Sequence, residues 1–468
     1  MKSHLNLNIS NFLLIKILFF MTIVFQVNYL KKNLKKIFTI YNYNYINLYK
    51  NLNLTFYNIN KNEEKALLNI AIYTLRIKDG GRARITSLLI NYLNKINIFK
   101  IFLFTDYLIE EDEYEIPNNI QRFTIKNNLI KIINKNKIDI LIYELDNIEE
   151  IIKLNNLLNI KVIFYQHSSS FDWFYDNFTT FISIYKAFHN SKYIVSIVPF
   201  DSDYLFNKWG INSILMSNFI TFDFNHIIVS DLSNKNILLI GRGDAKKKRF
   251  YIGIEAMEYI IKEIPTCELN ILSSLERIHK IEILVNNLAL NSNIKFIGYS
   301  SSLEIYFRNA SLNIIPSISE AFPMVLSETK IYGIPSILLG LDYICISEGG
   351  NIIIYNDLPE SLALESIKIL SNKEFRTKLG KKARDSMKHF NNDLLLKKWV
   401  KLILSIHTSE HDYFKLREEY KKISQNKGMN ILNNQLQLLK LRYKAFRDIT
   451  PNQYENFTYM GNYHIDYT

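Results

Sequence analysis

The sequence predicts an α/β protein made of two Rossmann-like domains that face each other across a cleft. Short apolar runs of strand length recur along the chain, and segments with helical spacing of their apolar residues separate them. These runs form two series, with a boundary near residues 222–234. Each series therefore predicts one parallel sheet covered by helices.

The first series opens with residues 68–74, which have the continuous apolar character of a buried parallel strand. The turn residues Asp79, Gly80 and Gly81 follow, and after them apolar residues recur at helical spacing. Strand, glycine turn and helix together are the opening of a βα unit. The other strands of this half are predicted at residues 100–105, 138–143 and 161–165.

The second series begins with a strand at residues 236–241, followed by a helix at about 251–263. Its other strands are predicted at residues 268–272, 294–297 and 312–318. Ligands of such sheets bind beyond the carboxyl ends of the strands. The cleft between the two halves is therefore the expected binding site.

Two glutamates are expected at the mouth of one helix. Pro323 fits a first helical position and Gly333 a stop, so the helix is predicted at 323–332, with Glu320 just ahead of it and Glu328 inside it. A helix N-terminus attracts a diphosphate, and carboxylates beside it accept hydrogen bonds from sugar hydroxyls. The arrangement predicts a nucleotide-sugar site, although the helix dipole alone also favours acids near a first turn.

The stretch 317–336 closely resembles the Glu-x7-Glu region of the family 4 retaining glycosyltransferases, and the resemblance extends over about residues 66–405. It implies GT-B architecture and a glycosyltransferase, with a hexosyltransferase expected, that uses a nucleotide-diphosphate-sugar donor. It also implies retention of the anomeric configuration and no obligatory metal or other cofactor. Glu320 would contact the hydroxyls of the donor sugar, and Glu328 the ribose of the nucleotide.

Cations follow the first strand of the second half, where Arg242 precedes a run of lysines. A guanidinium fork and an ammonium point charge both suit a diphosphate, whereas a solvated basic loop is the alternative. The stretch resembles the family's Gly-Arg…Lys phosphate pair. Arg242 matches the arginine and Lys248 is the better lysine. Lys247 stays open, because the interval has an extra residue and Arg249 stands where glycine is usual.

His167 follows the strand at 161–165, and its place resembles the family histidine that faces the donor sugar, although a lone histidine is more often structural. Gly81 matches the family's glycine loop and would leave room for phosphate and acceptor. The implied catalytic residues are Glu320, Arg242, Lys248 and His167. The implied donor-binding residues are Gly81, Arg242, Lys248, Glu320, Phe322, Pro323, Met324, Val325, Leu326 and Glu328.

No metal site is predicted. Asp201 and Asp203 match an Asp-x-Asp pattern superficially, but they precede a helix-like segment, and N-capping is the preferred interpretation. The two cysteines, Cys267 and Cys345, support neither a disulfide framework nor a cysteine-based metal site.

The N-terminal residues 1–30 contain an apolar stretch at 12–30, close to the roughly 20 residues that a membrane span requires. Its apolar core at 17–25 is followed by the bulky and polar residues 26–30 in place of a cleavage pattern, so an uncleaved single-span anchor is preferred to a signal peptide. Lysines flank the stretch on both sides. Whether the enzyme domains lie in the cytosol or in the ER/Golgi lumen therefore stays open. The remaining divisions are a polar linker (31–65), an acceptor-side domain (66–226), a donor-side domain (227–408) and a charged helical tail (409–468).

Two other classes of function were weighed against a transferase. A catalytically inactive, membrane-tethered nucleotide-sugar-binding or scaffold protein is the main alternative, and the complete glutamate and cation sets disfavour it. A nucleic-acid binder rests only on the net charge of +12, and the basic residues are spread along the whole chain. No nucleic-acid partner is therefore predicted, and the acceptor stays open among a sugar, a lipid-linked group and a protein.

Overall fold

The structure is a computed structural model of the chain, and it describes residues within the range 67–424. The gaps are 79, 126–127, 145–159, 168, 170–184, 198–200, 203–204, 207–208, 223, 225, 243–245, 275–277, 299, 301–302, 342–343 and 345. All described residues belong to one unit, Ile46–Gly428.

The predicted membrane anchor, the polar linker and residues 425–468 of the tail lie outside the described residues. Within the described part of the chain, every helix is too short or too polar to cross a bilayer. Membrane anchoring therefore stays a prediction from the sequence.

The first half contains a sheet of seven parallel strands in the order β3-β2-β1-β4-β5-β6-β7. The strands are β1 (Leu68–Thr74), β2 (Phe99–Thr105), β3 (Gln121–Thr124), β4 (Ile140–Tyr143), β5 (Lys161–Gln166), β6 (Tyr193–Ser196) and β7 (Ile214–Leu215). The order reverses between β1 and β4, which are hydrogen-bonded neighbours. Such a reversal opens a crevice at the carboxyl edge of the sheet.

The second half repeats this plan with six parallel strands in the order β10-β9-β8-β11-β12-β13. The strands are β8 (Asn236–Ile240), β9 (Glu268–Leu272), β10 (Ile294–Phe296), β11 (Leu312–Ile315), β12 (Ser336–Leu339) and β13 (Asn351–Ile354). The reversal here lies between β8 and β11. The two strands that end at the predicted cations and glutamates are therefore adjacent.

The helices connect these strands. They are α1 (Gly80–Leu93), α2 (Leu129–Lys135), α3 (Phe250–Glu263), α4 (His279–Asn287), α5 (Glu304–Arg308), α6 (Met324–Ile331), α7 (Pro359–Ser371), α8 (Lys373–Met387), α9 (Asn392–Thr408) and α10 (Glu410–Ser424). Residues 185–190 are helical as well, and Lys246–Lys248 form a 3-10 turn. In the second half, the apolar faces of α3 and α7 cover the sheet and form its core.

Several predicted boundaries differ from the structure by one to three residues, and two of these lie next to the glutamates. The strand predicted at 312–318 ends at Ile315, because Pro316 has no N–H with which to extend the ladder. The helix predicted at 323–332 begins at Met324, and Pro323 is its N-cap with an extended ψ of 109°. Gly333 ends that helix with a φ of +72°, as its position predicts.

The last described helices return to the first half of the molecule. The side chain of Asn392, at the start of α9, bonds to the backbone of Ile220 and to the hydroxyl of Tyr92. Further along, Lys161 Nζ donates to the carbonyls of Ile406 and His407 at 2.6 and 2.9 Å. Residues 392–408, predicted as part of the donor-side domain, therefore pack against the opposite sheet.

Lys398 lies on the buried face of α9 and is 0% exposed. Burial lowers the pKa of Lys398 from 10.5 to about 7. Between these two values the unfolded chain holds the proton and the folded chain does not. Stability should therefore rise with pH across this window, and the cost of burying the charge is fully present below pH 7.

Replacing Lys398 with methionine should stabilise the fold, because it keeps an unbranched chain and removes the charge. We expect a gain in unfolding free energy on the order of 4 kcal/mol at pH 7, which shrinks by about 1.4 kcal/mol per pH unit towards pH 10.5. Urea unfolding between pH 6 and 10.5 measures it. Lys397→Met, at the exposed neighbouring position, is the matched control. If the unfolding free energies of Lys398→Met and the parent chain change with pH in the same way, the lowered pKa of Lys398 is wrong.

Candidate active site

A cavity of about 590 Å³ lies between the two halves. Its walls come from the carboxyl ends of the strands in both sheets and from the first turns of α1 and α6. Arg242 and Glu320 both line it, although one follows β8 and the other follows β11. Residues that the sequence placed at separate strand ends therefore share one space.

Lys248 and Glu320 form an ion pair on the wall of this cavity. Lys248 Nζ lies 2.5 Å from Glu320 Oε1, and their side chains are 22% and 12% exposed. Lys248 ends the 3-10 turn before α3, and Glu320 lies in the loop before α6. The pair places a cation and a carboxylate side by side, so a ligand can meet both at once. Lys247 lines the same cavity, which leaves the choice between the two lysines open.

Arg242 is the exposed cation of the site. It follows Gly241, whose φ of +150° favours glycine at the end of β8. Among the described residues, no carboxylate lies within ion-pair distance of Arg242. Its guanidinium is therefore available for an anion in the cavity.

The N-terminus of α6 faces the cavity through the residues Phe322, Pro323, Met324 and Val325. Leu326, which the resemblance also implied, is fully buried. Its N–H donates to the carbonyl of Pro323 at 3.0 Å and closes the first turn of the helix. Leu326 is not among the residues that line the cavity, and its role in donor binding stays a prediction.

Glu328 is 1% exposed and connects the two halves. Its Oε1 lies 3.3 Å from Nε of Arg84 on α1 and accepts a 2.8 Å hydrogen bond from Thr221. Burial raises the pKa of Glu328, and Arg84 and Thr221 oppose this in part. Arg84 and Thr221 carry no signal in the sequence, since neither belongs to a motif. Glu328 still contributes to the cavity wall beside Met324.

His167 lines the cavity from the first half, directly after β5. Its Nε2 lies 3.4 Å from Oε1 of Glu144, which is 1% exposed and follows the neighbouring strand β4. Thr86 of α1 donates a hydrogen bond to the other oxygen of Glu144. Thr86 thus holds the Glu144 carboxylate, which faces the imidazole of His167. In the sequence, the one signal that points to Glu144 is that a carboxylate directly follows a predicted buried strand.

The glycine turn approaches the opposite half closely. Gly80 has a φ of +85°, which favours glycine, and both Gly80 and Gly81 line the cavity. A Cβ atom on Gly81 would lie 3.3 Å from Cγ of Met324. A side chain at Gly81 would therefore require the side chain of Met324, at the N-terminus of α6, to shift by a few tenths of an ångström.

The described residues contain no group of three or more His, Cys, Asp or Glu side chains that could hold a metal ion. Asp201 is fully buried, and Asp203 lies outside the described residues. Cationic side chains, not carboxylates, predominate on the cavity wall among the described residues.

Two Rossmann-like halves around a shared cavity define the GT-B architecture, which is the fold of this chain. Residues 224–386 match the family model described as Glycosyl transferases group 1. The matched segment contains Arg242, Lys248, Glu320 and Glu328, and it ends before α9.

Curated relatives align with parts of the chain. An exopolysaccharide phosphotransferase of Streptomyces coelicolor is 25% identical over 201 residues, which are 42% of this chain and 21% of that protein. An uncharacterized glycosyltransferase of Haemophilus influenzae is 21% identical over 247 residues, which are 52% of this chain and 69% of that protein. The chain thus spans about a fifth of the first relative and more than two thirds of the second.

Solved structures share the fold over most of the chain. Sucrose-phosphate synthase from Thermosynechococcus elongatus superposes with a TM-score of 0.62 at 16% identity, over 72% of this chain and 99% of that one. Anabaena HepE in complex with UDP and glucose gives a TM-score of 0.59 at 14% identity, over 72% and 99%. These similarities show the fold of the chain, and the group 1 match adds a family domain within residues 224–386.

Proposed function

We propose that this enzyme transfers a sugar from a nucleoside-diphosphate-sugar donor to an acceptor, with retention of the anomeric configuration and without a metal ion. The proposal rests on one observation. Arg242, the Lys248–Glu320 pair and the N-terminus of α6 line the same cavity between the halves. Cations and a helix N-terminus suit a diphosphate, and a carboxylate beside them suits sugar hydroxyls.

In this mechanism the bond between the anomeric carbon and the diphosphate oxygen breaks, and its electron pair stays on that oxygen. Arg242 and Lys248 stabilise the negative charge that develops there, which is the task a metal ion performs in other enzymes. The acceptor oxygen bonds to the anomeric carbon, and its proton passes to the departing phosphate oxygen. No side chain is needed as a general base.

The remaining residues would hold the donor in place. Glu320 would accept hydrogen bonds from the sugar hydroxyls, beside the ammonium of Lys248. Oε1 of Glu328 is occupied by Arg84 and Thr221, so its other oxygen would accept the hydrogen bond of the nucleotide ribose. His167 would contact the donor sugar from the first half, supported by Glu144. The acceptor would enter beside Gly81.

The structure of Anabaena HepE was solved with UDP and glucose, which makes a uridine donor the first candidate for this chain. The retaining outcome rests on the resemblance of residues 317–336 to the Glu-x7-Glu region. Attachment to a membrane through residues 12–30 belongs to the same proposal and rests on the sequence alone.

Thermal unfolding with a panel of donors tests the proposal. We expect one nucleoside-diphosphate sugar, in the presence of EDTA, to stabilise the protein by about 2.7 kcal/mol at a concentration of 100 times its Kd. The matching nucleoside monophosphate and free sugar are the controls, since neither carries the diphosphate. If every diphosphate sugar fails to stabilise the protein, the proposal is wrong. Stabilisation without release of nucleoside diphosphate, across a broad acceptor screen, would favour the inactive binding protein.

A further inference from the structure

Arg249 occupies a backbone conformation that favours glycine. Its φ and ψ are 48° and 44°, in the left-handed region, at the residue that joins the 3-10 turn to α3. Glycine is usual at this position in the family that the chain resembles. Glycine would adopt this conformation without strain. The contacts of the arginine side chain must therefore offset the strain at Arg249.

The side chain of Arg249 is buried, with only 1% of the residue exposed. Its Nε donates to the carbonyl of Pro316 at 2.7 Å, and Nη2 lies 3.4 Å from the carbonyl of Ser317. Its Nη1 lies 2.7 Å from Oδ2 of Asp357, just before α7. The guanidinium thus binds the segment that leads from β11 to Glu320.

A backbone hydrogen bond joins the same two segments. The N–H of Ile318 donates to the carbonyl of Lys247 at 2.8 Å. The loop that carries Lys248 and the loop that carries Glu320 are therefore joined twice, directly beneath their 2.5 Å ion pair. Because the guanidinium is planar and bonds to two successive carbonyls, those of Pro316 and Ser317, it restricts the movement of the two loops relative to each other.

We propose that Arg249 is a positioning residue, which holds Lys248 and Glu320 in register for the departing diphosphate and the donor sugar. The inference rests on the proposed function of the cavity. Arg249 acts from behind the cavity wall, through the carbonyls of Pro316 and Ser317.

Arg249→Gly is the first test, because glycine accepts the backbone conformation and removes only these contacts. We expect hydrogen exchange at the amide of Ile318 to rise by about tenfold or more, measured without any donor, as the loop loses its support. We also expect turnover at saturating donor to fall by about tenfold, with the donor Kd changed less than about threefold, because geometry and not contact is lost. Added guanidinium ion should restore part of this turnover by entering the vacated site.

A matched pair of variants separates positioning from mere stability. Arg376 is equally buried and binds the carbonyls of Leu232, Ile369 and Leu370. Arg249→Lys and Arg376→Lys should both lower the Tm, but only Arg249→Lys should lower the turnover of the folded enzyme.

Unchanged exchange at Ile318 in Arg249→Gly would overturn the inference, and so would turnover within about twofold of the parent enzyme. The exchange measurement needs no donor. If the parent chain neither binds nor uses any diphosphate sugar, the proposed function fails, and the exchange result alone still decides whether Arg249 holds the loop.

Discussion

Replacing Glu320 with alanine is expected to lower turnover by on the order of 100-fold, because its hydrogen bonds to the donor sugar should tighten as positive charge develops on the sugar ring. Donor affinity should stay constant or rise. Lys248, now 2.5 Å from Glu320, would lose that partner and become free to bind the diphosphate. A fall in kcat without a rise in Kd is therefore the expected pattern.

Glu320→Gln is the matched variant for this experiment, since it keeps the shape of the side chain and removes the charge. It should fall between the parent enzyme and Glu320→Ala, because an amide oxygen still accepts one hydrogen bond. Steady-state kinetics and donor titration of both variants give the comparison. Turnover of Glu320→Ala within a few-fold of the parent would remove Glu320 from the site.

Arg242→Ala should lower turnover by about 10²- to 10³-fold and weaken donor binding as well. Arg242 is the exposed cation on the cavity wall, and among the described residues no carboxylate competes for it, so its loss removes charge from the diphosphate site directly. Arg242→Lys retains the charge but lacks the planar fork, and it should recover part of the lost activity. Single-turnover kinetics with a saturating donor separates the chemical step from binding.

Arg308→Ala serves as the control for this variant. Arg308 is an exposed guanidinium of the same half, 41% exposed and paired with Glu304 one turn earlier on α5. Its loss should leave both kcat and Kd unchanged, since an exposed ion pair contributes little. Equal effects of Arg308→Ala and Arg242→Ala would mean that only net charge matters, and Arg242 would lose its assigned role.

The sheets were predictable where a strand is a continuous apolar run. Strand β1 has the predicted limits, because buried parallel strands carry apolar residues on both faces. Strand β12 was missed because Ser336–Leu339 directly follows a helix stop, and β3 because Gln121–Thr124 is a short, half-exposed edge strand. The return of α9 to the first half has no local signal, since only tertiary contacts define it.

The residues of the candidate site could also be predicted only in part from the sequence. Glu320, Arg242 and His167 could be placed from the sequence because each follows a strand that an apolar run predicts. Arg84 and Glu144 could not, because their importance lies in the partners they meet across the fold, Glu328 and His167. The role of Arg249 was hidden for the same reason. The sequence showed only a departure from glycine, and the bonded carbonyls belong to residues 67 and 68 positions away.

The path of α9 determines how the two halves can move. The chain passes from one half to the other between β7 and β8, and it crosses back just before α9. At these crossings, the amide side chain of Asn392 accepts from the N–H of Ile220 at 2.9 Å and donates to its carbonyl at 2.8 Å. The two segments that connect the halves are thus hydrogen-bonded to each other and form a single pivot. A movement of the two halves that keeps these bonds is a rotation about this pivot, whereas sliding or complete separation would break them.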